Sequence, residues 1–447
     1  MRFIDTDLTC RLDSLPWCRF HTVFVLALGI TWILDAFEVV IVSAVLKPMS
    51  LSLGFSPWQS SLMVSGFLLG AILGSLLFGY LADRYGRKKI FLITLLLYSL
   101  GTFLTGFANS FETALFFRVL AGAGIGGEFS AIHSAVDEFV PSRHRGKVDG
   151  IISALWNLGS IMASLSAGFI LSLFDESFAW RFAFLLGGAL AILVLFVRFV
   201  VPESPRWLIS KGKVDEARQI VQELEKKAGG RYSQDSCSIP VFEGSILDAT
   251  KLILSRYRWR FVFSSSVSFT ILATYYGIIT LIPVSFSKAF HLSSEDIPQM
   301  LLMGSAGGLI GGILIALASD VLGRKITGSF VGFMSFSISL LFLSGLDVYL
   351  TYFIYSLFAF SFASVGYVSA TEIYPSYLRA YAIGLISIIG RLAGSIFPIV
   401  LVNLASASYT YGIVGLSILW LFGFISFLIW SVKGLEAKGK ALEEITK

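Results

Sequence analysis

About twelve stretches of roughly 20 apolar residues follow one another along this 447-residue chain, and each is long enough to cross a bilayer as a helix. In lipid, every backbone N–H and C=O must be satisfied within the chain, so such stretches fold as helices. The approximate spans are 20–46, 58–82, 89–108, 112–136, 147–172, 180–201, 259–285, 297–319, 326–346, 349–371, 380–404 and 410–432. The chain is 55% hydrophobic and only 14% charged, where a soluble protein carries nearer a quarter charged residues. A water-soluble reading is excluded, and an all-α membrane protein is expected. The net charge of +5 is no sign of nucleic-acid affinity, because the positive residues sit in short loops between apolar spans.

Those loops set the orientation. Of 34 Lys and Arg, about 29 fall in segments on one face and about three on the other, with Arg118 and Arg391 inside spans. The bias places both termini in the cytoplasm, in a multi-pass protein of the plasma membrane. Residues 1–19 form a short polar lead with no removable signal peptide, and the first span inserts the chain. Cys10, Cys18 and Cys237 lie on the cytoplasmic side without disulfide or metal spacing, so free thiols are expected. No metal site and no cofactor are expected.

One loop stands out: Gly79-Tyr80-Leu81-Ala82-Asp83-Arg84-Tyr85-Gly86-Arg87-Lys88-Lys89. It is a tight, basic turn between two spans, with Gly86 permitting the turn. A degenerate copy, Asp320-Val321-Leu322-Gly323-Arg324-Lys325, occurs about 235 residues later. Glu138-x-x-Pro141-x-x-x-Arg145-Gly146 recurs at nearly the same offset as Glu372-x-x-Pro375-x-x-x-Arg379-Ala380. Gly150-x-Ile152-Ser153-x-x-x-Asn157-Leu158 likewise recurs as Gly384-x-Ile386-Ser387-x-x-x-Arg391-Leu392. Three matches in order at nearly one offset identify internal repeats. The chain divides into two six-helix bundles, 1–201 and 259–447, joined by the soluble stretch 202–258, with a solute path between them.

The turn and its weaker copy resemble the signature loop between spans two and three of the major facilitator superfamily, and Pro202-Glu203-Ser204-Pro205-Arg206-Trp207-Leu208 is similar to the family's string after span six. The resemblance covers the whole chain. It implies twelve transmembrane helices in two pseudo-symmetric bundles, secondary transport by alternating access, and a monomer in the bilayer. It also implies a gate at the cytoplasmic helix ends, built from Asp83, Arg87, Glu138, Arg145, Asp320, Arg324, Glu372 and Arg379. Opposed acids and bases there make ion pairs that are weak singly but form a switch as a network. Beyond the family string, Val214 to Lys227 reads as an amphipathic helix along the inner membrane face, with Val214, Ala217, Ile220, Val221 and Leu224 on one side.

Charged residues inside spans are costly and mark function. Asp35 and Glu38 share one face of span one. A pair of this kind resembles the aromatic-acid, niacin-type and organic-ion members, and alignment with sugar porters through Ile41-Val42-Ser43 puts their proton-coupling acid at Glu38. The alternative is a structural carboxylate held by a neighbouring helix. Span four carries Arg118 ahead of Gly122, Gly124, Gly126, Gly127 and Glu128; the glycines permit close helix contact. Arg118 requires a counter-ion, and Glu38 or Asp35 is the expected partner, either as a proton-coupling device or as a static pair. Glu128, about 15 Å further along, is a second carboxylate near the path. His133 reads as structural. Arg391 lies mid-span between Gly390 and Gly394 with no acid in adjacent turns, which suits an anion site, most simply for a carboxylate; the alternative pairs it with Asp35 or Glu128. Trp156, Asn157, Tyr275 and Tyr367 are the further candidates for lining the substrate path. Span seven has no Gln-Gln pair and span ten no Gly-Pro-x-x-Trp, so hexose is not expected as substrate.

The expected function is proton-coupled symport of a small organic anion: the carboxylate at Arg391, the proton on Glu38 with Asp35 and Arg118 modulating it. The rivals are an uncoupled facilitator or exporter of organic cations, which would use the acids, and a transporter-like sensor signalling through 202–258. No nucleophile–base or metal grouping points to an enzyme.

Overall fold

The computed structural model describes residues 2–126, 136, 139–198, 202–230, 237–241, 246–374 and 376–434. The described chain is almost wholly helical. Nine of its helices are long and apolar enough to cross a bilayer. In chain order come α1 (Leu8–Ser14), α2 (Arg19–Leu53), α3 (Pro57–Tyr85), α4 (Arg87–Thr105), α5 (Phe111–Gly126), α6 (Ser142–Leu173) and α7 (Glu176–Arg198). The segment that follows carries α8 (Pro205–Ser210), α9 (Val214–Ala228) and α10 (Ile246–Arg256). The second set is α11 (Arg258–Leu281), α12 (Ser287–Ala289), α13 (Asp296–Leu322), α14 (Arg324–Leu341), α15 (Val348–Glu372), α16 (Ser376–Ala407) and α17 (Tyr409–Lys433). Several helices run beyond the expected spans; α2 continues through Pro48 to Leu53. Pro283 falls in a π-helical turn, Ile282–Phe286, that ends the regular part of α11, as expected where proline breaks the ladder.

The repeats reappear as packing. In the first half α3 packs on α5, α2 on α6 and α4 on α7; in the second α13 packs on α15, α11 on α16 and α14 on α17. The two sets meet along α3 with α16 and α6 with α13. Glycines make the closest crossings possible. A Cβ on Gly70, Gly74, Gly122 or Gly126 would stand well under 3.0 Å from backbone of the facing helix in the α3–α5 pair. Gly307 and Gly311 play the same part where α13 meets α15. On α3 the opposite face, Leu69, Leu73, Leu76 and Leu77, is exposed, as suits a helix facing lipid tails.

At the end of the fold carrying the N-terminus, the polar lead is folded. A strand, β1 (Arg2–Thr6), pairs antiparallel with β2 (Cys237–Val241). Helix α1 and helix α9 bury Leu8, Leu12, Ala217, Val221 and Leu224 in one cluster with Phe20, Phe24, Phe139 and Leu208. The amphipathic helix therefore lays its apolar side on protein rather than along the membrane, and Val214 is left exposed. Arg11 joins the two helices through two hydrogen bonds to Glu225, 2.8 Å from Nε to Oε1 and 2.6 Å from Nη2 to Oε2, with a third to Asp7. These acids hold the Arg11 guanidinium protonated more firmly than usual, against the effect of burial. The expectation of free cysteines is corrected at Cys10, which is disulfide-bonded; Cys18 is a free thiol. Spacing alone could not show this, because the lead and the long connecting segment meet only through folding.

Gly122→Val, which drives a side chain into the Phe67 backbone, will abolish a folded, detergent-stable protein, whereas Gly79→Ala, with nothing within 4 Å, will leave the melting temperature unchanged. Glu225→Gln will destabilise the N-terminal cap and expose residues 1–15 to protease. The double variant Arg11→Met/Glu225→Leu will be more stable than either single one, since a half-removed buried pair costs ~3–5 kcal/mol.

Candidate functional site

Four charged residues, Asp35, Glu38, Arg118 and Arg391, lie deep in the helices. Asp35 and Glu38 are each 1% exposed and Arg118 is 2% exposed. Glu38 accepts a hydrogen bond of 2.5 Å from the Thr102 hydroxyl of α4. Arg118 on α5 lies over the Phe67 ring, 4.4 Å from its centroid, with Phe184 at 5.8 Å. Arg118 makes no contact ion pair with Asp35 or Glu38; its guanidinium lies over an aromatic face, whose quadrupole attracts a cation. Nε and Nη1 of Arg118 are buried and form no hydrogen bond among the described residues.

Arg391 sits near the middle of α16 and reaches the other half. Its Nη1 donates to the carbonyls of Ala71 and Gly126, 3.2 Å each, where α3 and α5 touch backbone to backbone. Arg391 makes no ion pair with a carboxylate among the described residues. Tyr276 of α11 packs against α16 one turn beyond Arg391, where a Cβ on Gly394 would stand 3.0 Å from its ring. Sequence reasoning offered Tyr276 beside Tyr275 among the polar residues of span seven but did not single out Thr102; a lone hydroxyl in an apolar helix carries no pattern.

Above these charges the two halves enclose a small cavity lined by Val40, Ser160, Tyr275, Ser305, Tyr352 and Phe360, among others. Trp156 donates from Nε1 to the Tyr275 hydroxyl at 3.2 Å, its ring is 5.3 Å from Trp32, and Phe360 is 5.9 Å from Tyr275. Asn157 is 5% exposed and its Oδ1 lacks a donor among the described residues. It faces Gly308 of α13, where a Cβ would come within 2.6 Å of that oxygen. The structure thus brings Trp156, Asn157 and Tyr275 together, while Tyr367 on α15 is 42% exposed.

Most of the expected gate falls where side chains are not described. Glu128, Glu138 and His133 lie outside the described residues. Asp83 is on α3, Arg87 begins α4, Arg145 is on α6, Asp320 on α13, Glu372 ends α15 and Arg379 is on α16, and their side chains also lie outside. Arg324 begins α14 and is half-buried. One contact at that end was not foreseen: Glu203 accepts from the Lys88 backbone N–H at 3.3 Å through both oxygens. A carboxylate there caps the N-terminus of α4 and complements its dipole. In the second half Lys325 donates to the Gly434 carbonyl at 2.6 Å, so the chain leaving each half returns to its basic turn.

Comparison with known proteins agrees with this geometry. The family model described as Major Facilitator Superfamily matches residues 27–398. The chain is 32% identical to the niacin transporter NiaP of Acinetobacter baylyi, over 98% of this chain and 99% of that one. It is 28% identical to a putative niacin/nicotinamide transporter of Bacillus subtilis, over 93% and 96%. Among solved structures, a partially occluded inward-open form of the xylose transporter XylE from E. coli superposes with a TM-score of 0.74 at 19% identity, covering 94% of this chain and 99% of that one; this likeness is one of fold.

Asn157 supplies a test of the cavity. An unsatisfied buried acceptor costs ~1–3 kcal/mol, so Asn157→Leu will melt at the same temperature as the parent or higher. If Asn157 meets the solute, the variant will also lose the rise in melting temperature that a bound solute gives.

Proposed function

As the chain belongs to the Major Facilitator Superfamily, and is therefore a membrane transporter rather than an enzyme, we propose that it is a proton-coupled symporter of a small organic anion, with an aromatic monocarboxylate of the nicotinate type as the leading candidate. The observation that carries this reading is Arg391. It is a cation at mid-depth between the halves, bonded to two carbonyls and making no ion pair with a carboxylate among the described residues. A carboxylate would supply the charge-assisted partner that two carbonyls supply only in part. The aromatic group of Trp32, Trp156, Tyr275 and Phe360 suits a planar ring. The names of two relatives, a niacin transporter and a putative niacin/nicotinamide transporter, support the same substrate class.

In this proposal the proton sits on Glu38, oriented by Thr102, with Asp35 on the same helix and Arg118 biasing its charge. Asn157 and Tyr276 join Trp156, Tyr275 and Tyr367 along the substrate path, and Glu128 lies beside it. Twelve spans form two six-helix bundles, 1–201 and 259–447, with 202–258 as the cytoplasmic connector. Alternating access rocks the bundles about the Arg391 level. The helix ends bearing Asp83, Arg87, Glu138, Arg145, Asp320, Arg324, Glu372 and Arg379 form the cytoplasmic gate. The protein works as a monomer in the plasma membrane, with both termini inside.

The test is uptake by proteoliposomes with an alkaline interior, using labelled monocarboxylates including nicotinate, beside a hexose and an organic cation. The expected outcome is gradient-driven accumulation of a carboxylate. Arg391→Ala will lower it by about tenfold or more, the scale of one lost charged hydrogen bond. Glu38→Gln will abolish accumulation against a gradient while sparing exchange. Accumulation of the cation, or of the hexose, would instead leave Arg391 a structural residue and overturn the anion reading.

A further inference from the structure

The two halves are bonded to each other at the end of the fold opposite the termini, and a proline makes one of those bonds possible. In a continuous helix the carbonyl of Ile279 would accept from the N–H four residues on. That residue is Pro283, which has none. The acceptor is taken instead by the Ser43 hydroxyl of α2, a fully buried side chain in the other half of the chain. One turn further along α2, Lys47 donates from Nζ to the Leu292 carbonyl, in the segment between α12 and α13. Its charge also acts on Asp296 at the start of α13. Val40, one turn before Ser43, lines the cavity, as does Ile279 itself. The pair of bonds therefore lies directly over the cavity and spans the seam between the halves.

We propose that Ser43 and Lys47 form the latch that holds the cavity shut toward the face opposite the termini, and that Pro283 creates the acceptor on which Ser43 closes. In alternating access that end must part for solute to enter or leave, and both bonds join elements that separate when it does. Ser43 and Lys47 set how much of the time the cavity is open to that face. The latch needs no assumption about the solute or the coupling ion, so its test is independent of the symport reading.

The test uses the full chain with Ser305, a cavity residue, changed to cysteine. It sits in sealed vesicles whose exterior is the face opposite the termini, and a membrane-impermeant maleimide is added outside. The natural cysteines lie at the other end and are shielded from the reagent. Ser43→Ala and Lys47→Gln will each raise the labelling rate about fivefold, as loss of one hydrogen bond implies. Ser43→Thr, which keeps the hydroxyl, will label at the parental rate. In a Pro283→Ala background, where the helix supplies its own N–H to Ile279, the effect of Ser43→Ala will shrink toward nothing, since the two changes act on one acceptor. Parental labelling rates in both Ser43→Ala and Lys47→Gln would overturn the latch. A full-sized Ser43→Ala effect in the Pro283→Ala background would overturn the role given to the freed carbonyl.

Discussion

Gly126 and Ala71 meet through their backbones where α5 crosses α3, and Arg391, from the far half of the chain, donates to both of their carbonyls. Much of the arrangement depends on that junction. In a bilayer there is no hydrophobic gain from pressing one apolar helix on another, so close association comes from small residues that let backbones approach. The glycines at positions 70, 74, 122 and 126 provide the approach. The same bareness leaves room for a guanidinium to reach main-chain oxygen. A helix pair of the first half thus becomes the docking surface for the one deep cation of the second half among the described residues.

The charges are arranged differently on the two sides of that junction. Glu38 is held by the Thr102 hydroxyl and Arg118 by the faces of two phenylalanines, all within the first half. Arg391 has two carbonyls from the opposite half. The cation of the first half is thus satisfied within its own helices, while that of the second is satisfied across the seam. In a low-dielectric interior a charge held by neutral dipoles alone remains open to a charged partner.

The cap at the other end follows another logic. There the N-terminal lead, the connector helix α9 and the first turns of α2 share one apolar cluster. A buried arginine–glutamate pair sets their register. This part resembles a small soluble core attached to a membrane body. The Glu203 carboxylate on the N-terminus of α4 ties the connector to the basic turn, so motions of the two are linked.

Nine of the spans, the basic turn, the twofold repeat, the buried positions of Asp35, Glu38 and Arg118 and the mid-helix place of Arg391 were legible in the sequence alone. Each is a local matter, since hydropathy, turn chemistry and the cost of a charge in lipid are decided by residues near one another in the chain. The repeat was legible too, because two copies at one offset need no structure to be seen. What only the tertiary structure decided is which groups meet. Arg118 lies over the Phe67 ring, Arg391 reaches across to carbonyls at positions 71 and 126, Arg11 finds Glu225, and Ser43 finds the carbonyl that Pro283 leaves open. These partners are set by how far each helix is rotated and how deep it sits, quantities fixed by packing between segments far apart in sequence. No local pattern carries them.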